Sequence, residues 1–386
     1  MDYPYYFANP GYLGPNNRFP LTTYELLHAE FASLSEEEQR KVLRDRYGRG
    51  DEIKETPEFI SECLQQFKKE IDSIQNKEAY DIALFILPDY VESDRFRLAF
   101  LRADNFDAKA AACRMVTYWE RKVDLFGTDK AFNPSISVLD FEESDYPALA
   151  AGGVRLLPHL DDLGRALLFS FPGYYYESSV ASMVRLFWFI SHAAIFDKEM
   201  SDIIQIKGIV ALTGSGLFVP AQVPFNSVTE SQRFVTILGK DFFEALPIKC
   251  RSHHQVSPNE IFLRLFEHLL YFVDFRWRPR MSFYNGQNVR QNLTALALCG
   301  MRPEIIPLEM GGYLEYNYQQ WMNDRISEDL IISARAASSD TASEISESKH
   351  SQRVSAMARL RSLLQTQRTK ELTLLQTITN SFPRPF

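Results

Sequence analysis

The chain has 386 residues, enough for one large domain with appendages or for two domains, and 45% of them are hydrophobic, 13% aromatic. A net charge of -8 excludes a general nucleic-acid binder, so basic patches have to be judged locally. Four scattered cysteines (Cys63, Cys113, Cys250, Cys299) contain no C-x-x-C pair, which argues against a zinc ribbon or redox dithiol and for free thiols in a reducing compartment. The N-terminus lacks a basic segment followed by an apolar core, and no run of roughly 18 apolar residues occurs, so a cytoplasmic protein is expected.

Residues 1–20, rich in Pro, Gly, Asn and Tyr, predict an irregular arm. A helical lobe follows over 21–130. Ser35 with Glu38 makes a capping box and Gly48 a stop. Pro57 suits a first helical turn after Thr56. Asp107 caps a helix whose apolar stripe is Ala112, Met115, Val116, Trp119 and Val123, ended by Gly127.

Over 131–325 the pattern changes to short apolar runs alternating with helical ones. Strands are predicted at 166–171, 206–212, 248–256 and 281–284, with helices at 176–196 and 227–245 between them. This alternation predicts an α/β fold with a largely parallel sheet. A small, polar, Ser-rich segment, 330–352, reads as a flexible linker, and 353–386 as a basic C-terminal helix with apolar spacing at Met357, Leu360, Leu364 and Leu375. Deleting 336–386 is therefore expected to leave folding intact.

Enzymatic motifs fail on spacing. Gly214-Ser-Gly216 fits neither G-x-S-x-G nor G-x-G-x-x-G and reads as a turn. His253 and His254 are neighbours on a predicted strand, point to opposite faces, and cannot chelate one ion. Glu142-Glu143 and Asp161-Asp162 read as solvated loop acids. No metal or cofactor is expected.

The helix predicted over 259–275 is apolar almost all round: Phe262, Leu265, Phe266, Leu269, Leu270 and Val273 are among the residues that cover it. An ordinary surface helix shows one stripe. It is either buried on all sides or a lid with a cavity on one side and a membrane on the other. Arg276, Arg278 and Arg280 follow at once, and Lys249 and Arg251, two apart, share a side of a strand. Such clusters attract anionic lipid surfaces at about 1 kcal/mol per basic residue.

Four motifs in order carry a resemblance. Leu246-Pro-Ile-Lys-Cys-Arg-Ser-His-His-Gln-Val256, Ile306-Pro-Leu-Glu-Met-Gly-Gly312, Asp162-Leu-Gly-Arg165 and Leu101-Arg-Ala-Asp-Asn-Phe-Asp-Ala-Lys-Ala110 together resemble the CRAL-TRIO lipid-transfer family, nearest its α-tocopherol transfer protein and cellular retinaldehyde-binding protein branch. Trp321 stands where that family often has a Trp, while Gln255 and Ser257 stand where apolar residues and Asn are common. The resemblance implies a mixed, largely parallel sheet flooring a hydrophobic pocket walled by helices, preceded by a helical lobe. It implies non-enzymatic binding, transfer or presentation of a lipid, with 259–275 as a mobile gate. Phosphoinositide-type headgroup contacts would come from Lys249, Arg251, Arg276, Arg278 and Arg280. A peripheral, reversible association with anionic membranes follows. The alternative is a regulatory or scaffold protein that keeps the fold without the ligand and meets a protein partner through 353–378.

Overall fold

The computed structural model describes residues 23–48, 52–175, 178–196, 201–214, 225, 227–256, 273, 277–284, 289–339 and 344–381. The helical lobe comprises α1 (Thr23–Ser33), α2 (Glu36–Tyr47), α3 (Pro57–Ser73), α4 (Glu78–Ile86), α5 (Pro88–Val91), α6 (Asp94–Ala103), α7 (Ala108–Phe126) and α8 (Thr128–Ala131). Its ends follow local chemistry. Ser35, Thr56 and Asp107 each accept a backbone N–H of the first turn, and α2 stops at Gly48, which adopts a left-handed φ of 66°.

A short helix, α9 (Tyr146–Ala151), leads into a five-stranded sheet in the order β1 (Val154–Leu160), β2 (Ala166–Ser170), β3 (Ile209–Gly214), β4 (Cys250–Val256), β5 (Met281–Tyr284). Only the β1–β2 pair is antiparallel; β2 through β5 run parallel. α10 (Val180–Phe196) and α11 (Ser201–Lys207) connect β2 to β3. α12 (Val228–Lys240) and a π-turn over Asp241–Ala245 connect β3 to β4. This is the α/β class expected, with a largely parallel sheet, and it is consistent with the CRAL-TRIO-like fold the motifs imply.

Strand assignments differ by more than two residues in two places. β1 was not predicted: Pro158 sits inside it, which a central strand would not tolerate, but β1 is an edge strand whose register shifts between Leu156 and Leu160. Residues 206–207 close α11 instead of opening β3. Gly208 makes the turn at φ 82°, where a Cβ would collide with the Lys249 carbonyl oxygen.

Two apolar cores flank the sheet. One joins Val154, Ala166, Leu168 and Ile209 to α10 and to α3–α7, so the lobe shares its core with the sheet and is not a separate unit at 130/131. Across that seam Arg114 donates to the Leu246 carbonyl at 3.0 Å, and Asp241 accepts from Arg121 and from the Trp188 indole. The other core packs Leu167, Phe169, Val210, Leu212 and Val256 against α13 (Val289–Ala297) and the 301–314 loop.

The C-terminal part corrects two expectations. α14 (Tyr318–Ser339) and α15 (Glu344–Ser381) are helical through most of 330–352, the segment read as a flexible linker. The stretch also holds Leu330, Ala334, Arg335, Ala336 and Ala337, which are good helix formers. α15 docks back on the domain through Met357, Leu360 and Leu364, all nearly inaccessible. Among the described residues no single helix is long and apolar enough to cross a membrane.

Candidate functional site

Side chains alternate across a strand, so the pairing register assigns each position to a face. The face toward α10 carries two rows. One is Leu168, Ala211, His253 and Met281; the other is Ser170, Thr213, Gln255 and Phe283. No formally charged residue occurs in either row. In β3 and β4 only Ala211 and His253 are partly accessible, and they are register partners at the middle of the sheet. Space therefore abuts the centre of a floor whose other members, Ser170 apart, are buried.

The polar row lies near the carboxyl ends of the parallel strands, where open α/β sheets receive ligands. Thr213 Oγ1 and His253 Nε2 are 2.9 Å apart, and Ser170 pairs with the Tyr175 hydroxyl. Gln255 is 0% exposed, and among the described residues neither atom of its carboxamide has a partner. An unmet buried amide costs about 1–3 kcal/mol. Burial pushes His253 down to about 4, so its imidazole is neutral at physiological pH.

His254 turns to the opposite face. There it bonds Ser252 Oγ at 2.9 Å and Tyr284 Oη at 2.8 Å and stacks on the Tyr284 ring. The two histidines thus diverge as strand alternation requires. Among the described residues no group of three or more His, Cys, Asp or Glu could hold a metal. All four cysteines are free.

Four of the expected headgroup residues, Lys249, Arg251, Arg278 and Arg280, come together, but around carboxylates of the N-terminal segment. Arg251, 2% exposed, pairs with Asp45 at 2.9 Å and Glu52 at 2.7 Å and donates to the Lys207 carbonyl at 2.8 Å. Arg280 reaches the other oxygen of Asp45 at 2.9 Å, and Arg278 reaches Glu30 at 2.6 Å. Lys249 lies 3.7 Å from Glu52; burial, then the charge of Arg251, hold its amine down at about 8. Glu52 is pushed up by burial but ends below the usual carboxylate range because Arg251 and Lys249 outweigh it. α2 and residue 52 therefore cover the basic cluster that sequence reasoning left facing a membrane. Of the gate residues, Phe262, Leu265, Phe266, Leu269 and Leu270 lie outside the described residues, as does Arg276. Val273 is described; it is half-buried and its carbonyl accepts from Arg278 Nε at 3.0 Å.

Two motif residues have structural work. The acid that holds Arg165 is Asp161, not Asp162. Its Oδ1 accepts from the Leu163 and Arg165 backbone and its Oδ2 from Arg165 Nε at 2.6 Å. Reading the motif from Asp162 set it one residue late, and Asp161 is a buried pivot, not a solvated loop acid. Glu309 of the Pro-Leu-Glu-Met-Gly-Gly stretch is buried 3.2 Å from Arg155. Sequence reading missed Thr213, Ala211, His253 and Gln255 as a set. The available signal was two polar residues, 253 and 255, two apart on a strand in a row otherwise suited to apolar side chains.

No protein-family model matches the chain, and no curated protein matches it significantly. Among solved structures, the crystal structure of Sfh5 is similar over 69% of this chain and 83% of that one, at 10% sequence identity and a TM-score of 0.35. A likeness at that level bears on neither ligand nor activity.

Proposed function

We propose that this protein binds a hydrophobic lipid on the α10-side face of its sheet and carries or presents it at membrane surfaces, without catalysis. The observation that carries this reading is the partly accessible Ala211–His253 pair at the centre of an uncharged floor whose other members, Ser170 apart, are buried. β4 ends at Val256 and β5 begins at Met281, so the apolar 259–275 run is the chain that connects the two strands bordering that floor. In this reading Phe262, Leu265, Phe266, Leu269, Leu270 and Val273 close over the lipid and open at a membrane. Apolar burial at about 25 cal/mol per Å² supplies the affinity.

Contact of Lys249, Arg251, Arg278 and Arg280 with an anionic, phosphoinositide-type headgroup belongs to the same reading, and it requires Glu30, Asp45 and Glu52 to release them. The scaffold alternative has less support, because Met357, Leu360 and Leu364 of the C-terminal helix are buried in the chain's own core, while Val354, Leu363 and Leu372 stay exposed.

The test is to incubate the purified full chain with mixed-lipid vesicles, separate the two, and weigh the protein by native mass spectrometry. A lipid adduct near one per chain supports carriage. Lipid-free protein after exposure to every lipid class overturns it.

A further inference from the structure

The floor under the proposed lipid is not uniformly apolar, and its polar members are specific about what they can meet. Gln255 sits between Thr213 on β3 and Phe283 on β5, beside His253 in the neighbouring row. Thr213 and His253 satisfy each other, and Ser170 is satisfied by Tyr175. Gln255 is left with one donor group and one acceptor group, both buried and both unmet. A partner that answers both must itself donate and accept. A hydroxyl or a carboxamide does so; an ether, an ester or a hydrocarbon does not.

Charge is decided by the surroundings. His253 is held neutral by burial, and neither row contains Lys or Arg. A carboxylate or phosphate on this floor would meet no countercharge among the described residues of these rows, and an unpaired charge is the costliest kind of burial. Of the described cations near β4 and β5, Arg251 and Arg280 are bound to Asp45.

We propose that Gln255, flanked by Thr213 and His253, receives the polar end of a neutral lipid, a hydroxyl or carboxamide, on the floor of the sheet. This rests on the lipid-carriage reading and narrows it to a substrate class.

The test uses the full chain with neutral phosphatidylcholine vesicles containing equal amounts of oleyl alcohol, oleamide, octadecene and ionised oleic acid. These probes share a chain length and differ at the polar end. Protein-bound probe is quantified by mass spectrometry after the vesicles are removed. The alcohol and the amide are expected to exceed the hydrocarbon and the carboxylate by about tenfold, the ratio that one net buried hydrogen bond supplies. Gln255→Leu is expected to bring the alcohol-to-hydrocarbon ratio near unity while total bound probe is kept. It should also raise the Tm of the lipid-free protein, because Leu has no hydrogen bond to lose. Gln255→Met repeats the measurement with an unbranched side chain, so a misfit peculiar to Leu is separated from loss of the amide. Equal recovery of all four probes by the wild type, or a preference that survives in both variants, overturns the inference and leaves lipid carriage standing. No bound probe of any kind in the wild type overturns the carriage reading itself.

Discussion

The guanidinium of Arg155, in β1, meets the carboxylate of Glu371, in α15, at 2.9 Å, and both side chains are buried. The same Nη1 lies 3.2 Å from Glu309, and the Tyr174 and Tyr318 rings each face the guanidinium at 5.5 Å. Arg368, 3.1 Å from Glu371, balances the second acid. Removing Glu371 leaves Arg155 with Glu309 alone and takes the carboxylate from Arg368. Glu371→Ala is therefore expected to destabilise the protein by up to about 3 kcal/mol in urea unfolding. An unchanged midpoint would mean that α15 rests on the surface and contributes nothing through this pair.

Deleting residues 336–386 is expected to lower Tm and promote aggregation, the reverse of what composition suggests. The deletion strips Met357, Leu360 and Leu364 from the core and Glu371 from Arg155. A truncated chain that melts like the full one would return the segment to the status of an appendage.

Asp45 accepts from Arg251 on one oxygen and Arg280 on the other, 2.9 Å each. Asp45→Ala is expected to cost about 3–5 kcal/mol, since Arg251 is buried and keeps Glu52 as its one carboxylate among the described residues. Replacing Arg276, Arg278 and Arg280 together with Ala should lower transfer between anionic vesicles. It should also lower Tm, because two of the three anchor the N-terminal segment. If transfer falls with Tm unchanged, the membrane role is separable from this anchoring.

His253 titrates near 4 when folded against 6.5 for the free side chain. Between those values the unfolded chain binds the extra proton, so stability falls as pH drops from 6.5 toward 4 and is unaffected by this group above 6.5. His253→Asn is expected to flatten the stability–pH slope in that window by up to about 1.4 kcal/mol per pH unit. An unchanged slope would show that the imidazole is as well solvated folded as unfolded.

Lys122 is 1% exposed, donates to the Asn133 carbonyl at 2.5 Å and lies over the Tyr118 and Trp119 rings. Burial lowers its amine to about 7 from 10.5. From pH 7 to 10.5 the unfolded chain holds a proton that the folded one has lost, so stability rises with pH across that window. Lys122→Met is expected to abolish that rise, measured by denaturant titration at stepped pH. A rise that persists would have to come from other groups.

Much of the local structure was legible because it is written in short-range chemistry. The caps Ser35, Thr56 and Asp107, the stop at Gly48, the α/β alternation and the divergence of His253 from His254 each depend on a few neighbouring residues. β1 was not legible, because the tolerance for Pro158 depends on the strand lying at a sheet edge. Nor was the helicity of 330–339 read, although its Leu330, Ala334, Arg335, Ala336 and Ala337 are good helix formers, because its serines read as the mark of a linker.

By itself the sequence determined fold class, most element types and the presence of a basic cluster near an apolar run. Only tertiary structure decided what the charges face. A salt bridge needs two groups within a few ångströms, and Arg251 finds Asp45 206 residues away while Arg155 finds Glu371 216 residues away. Register made the other decision: strand pairing puts Ala211, Thr213, His253 and Gln255 on one face, and burial leaves Gln255 alone among them without a partner. Spacing along one strand can place two side chains on the same side, but it cannot say what the neighbouring strand brings beside them.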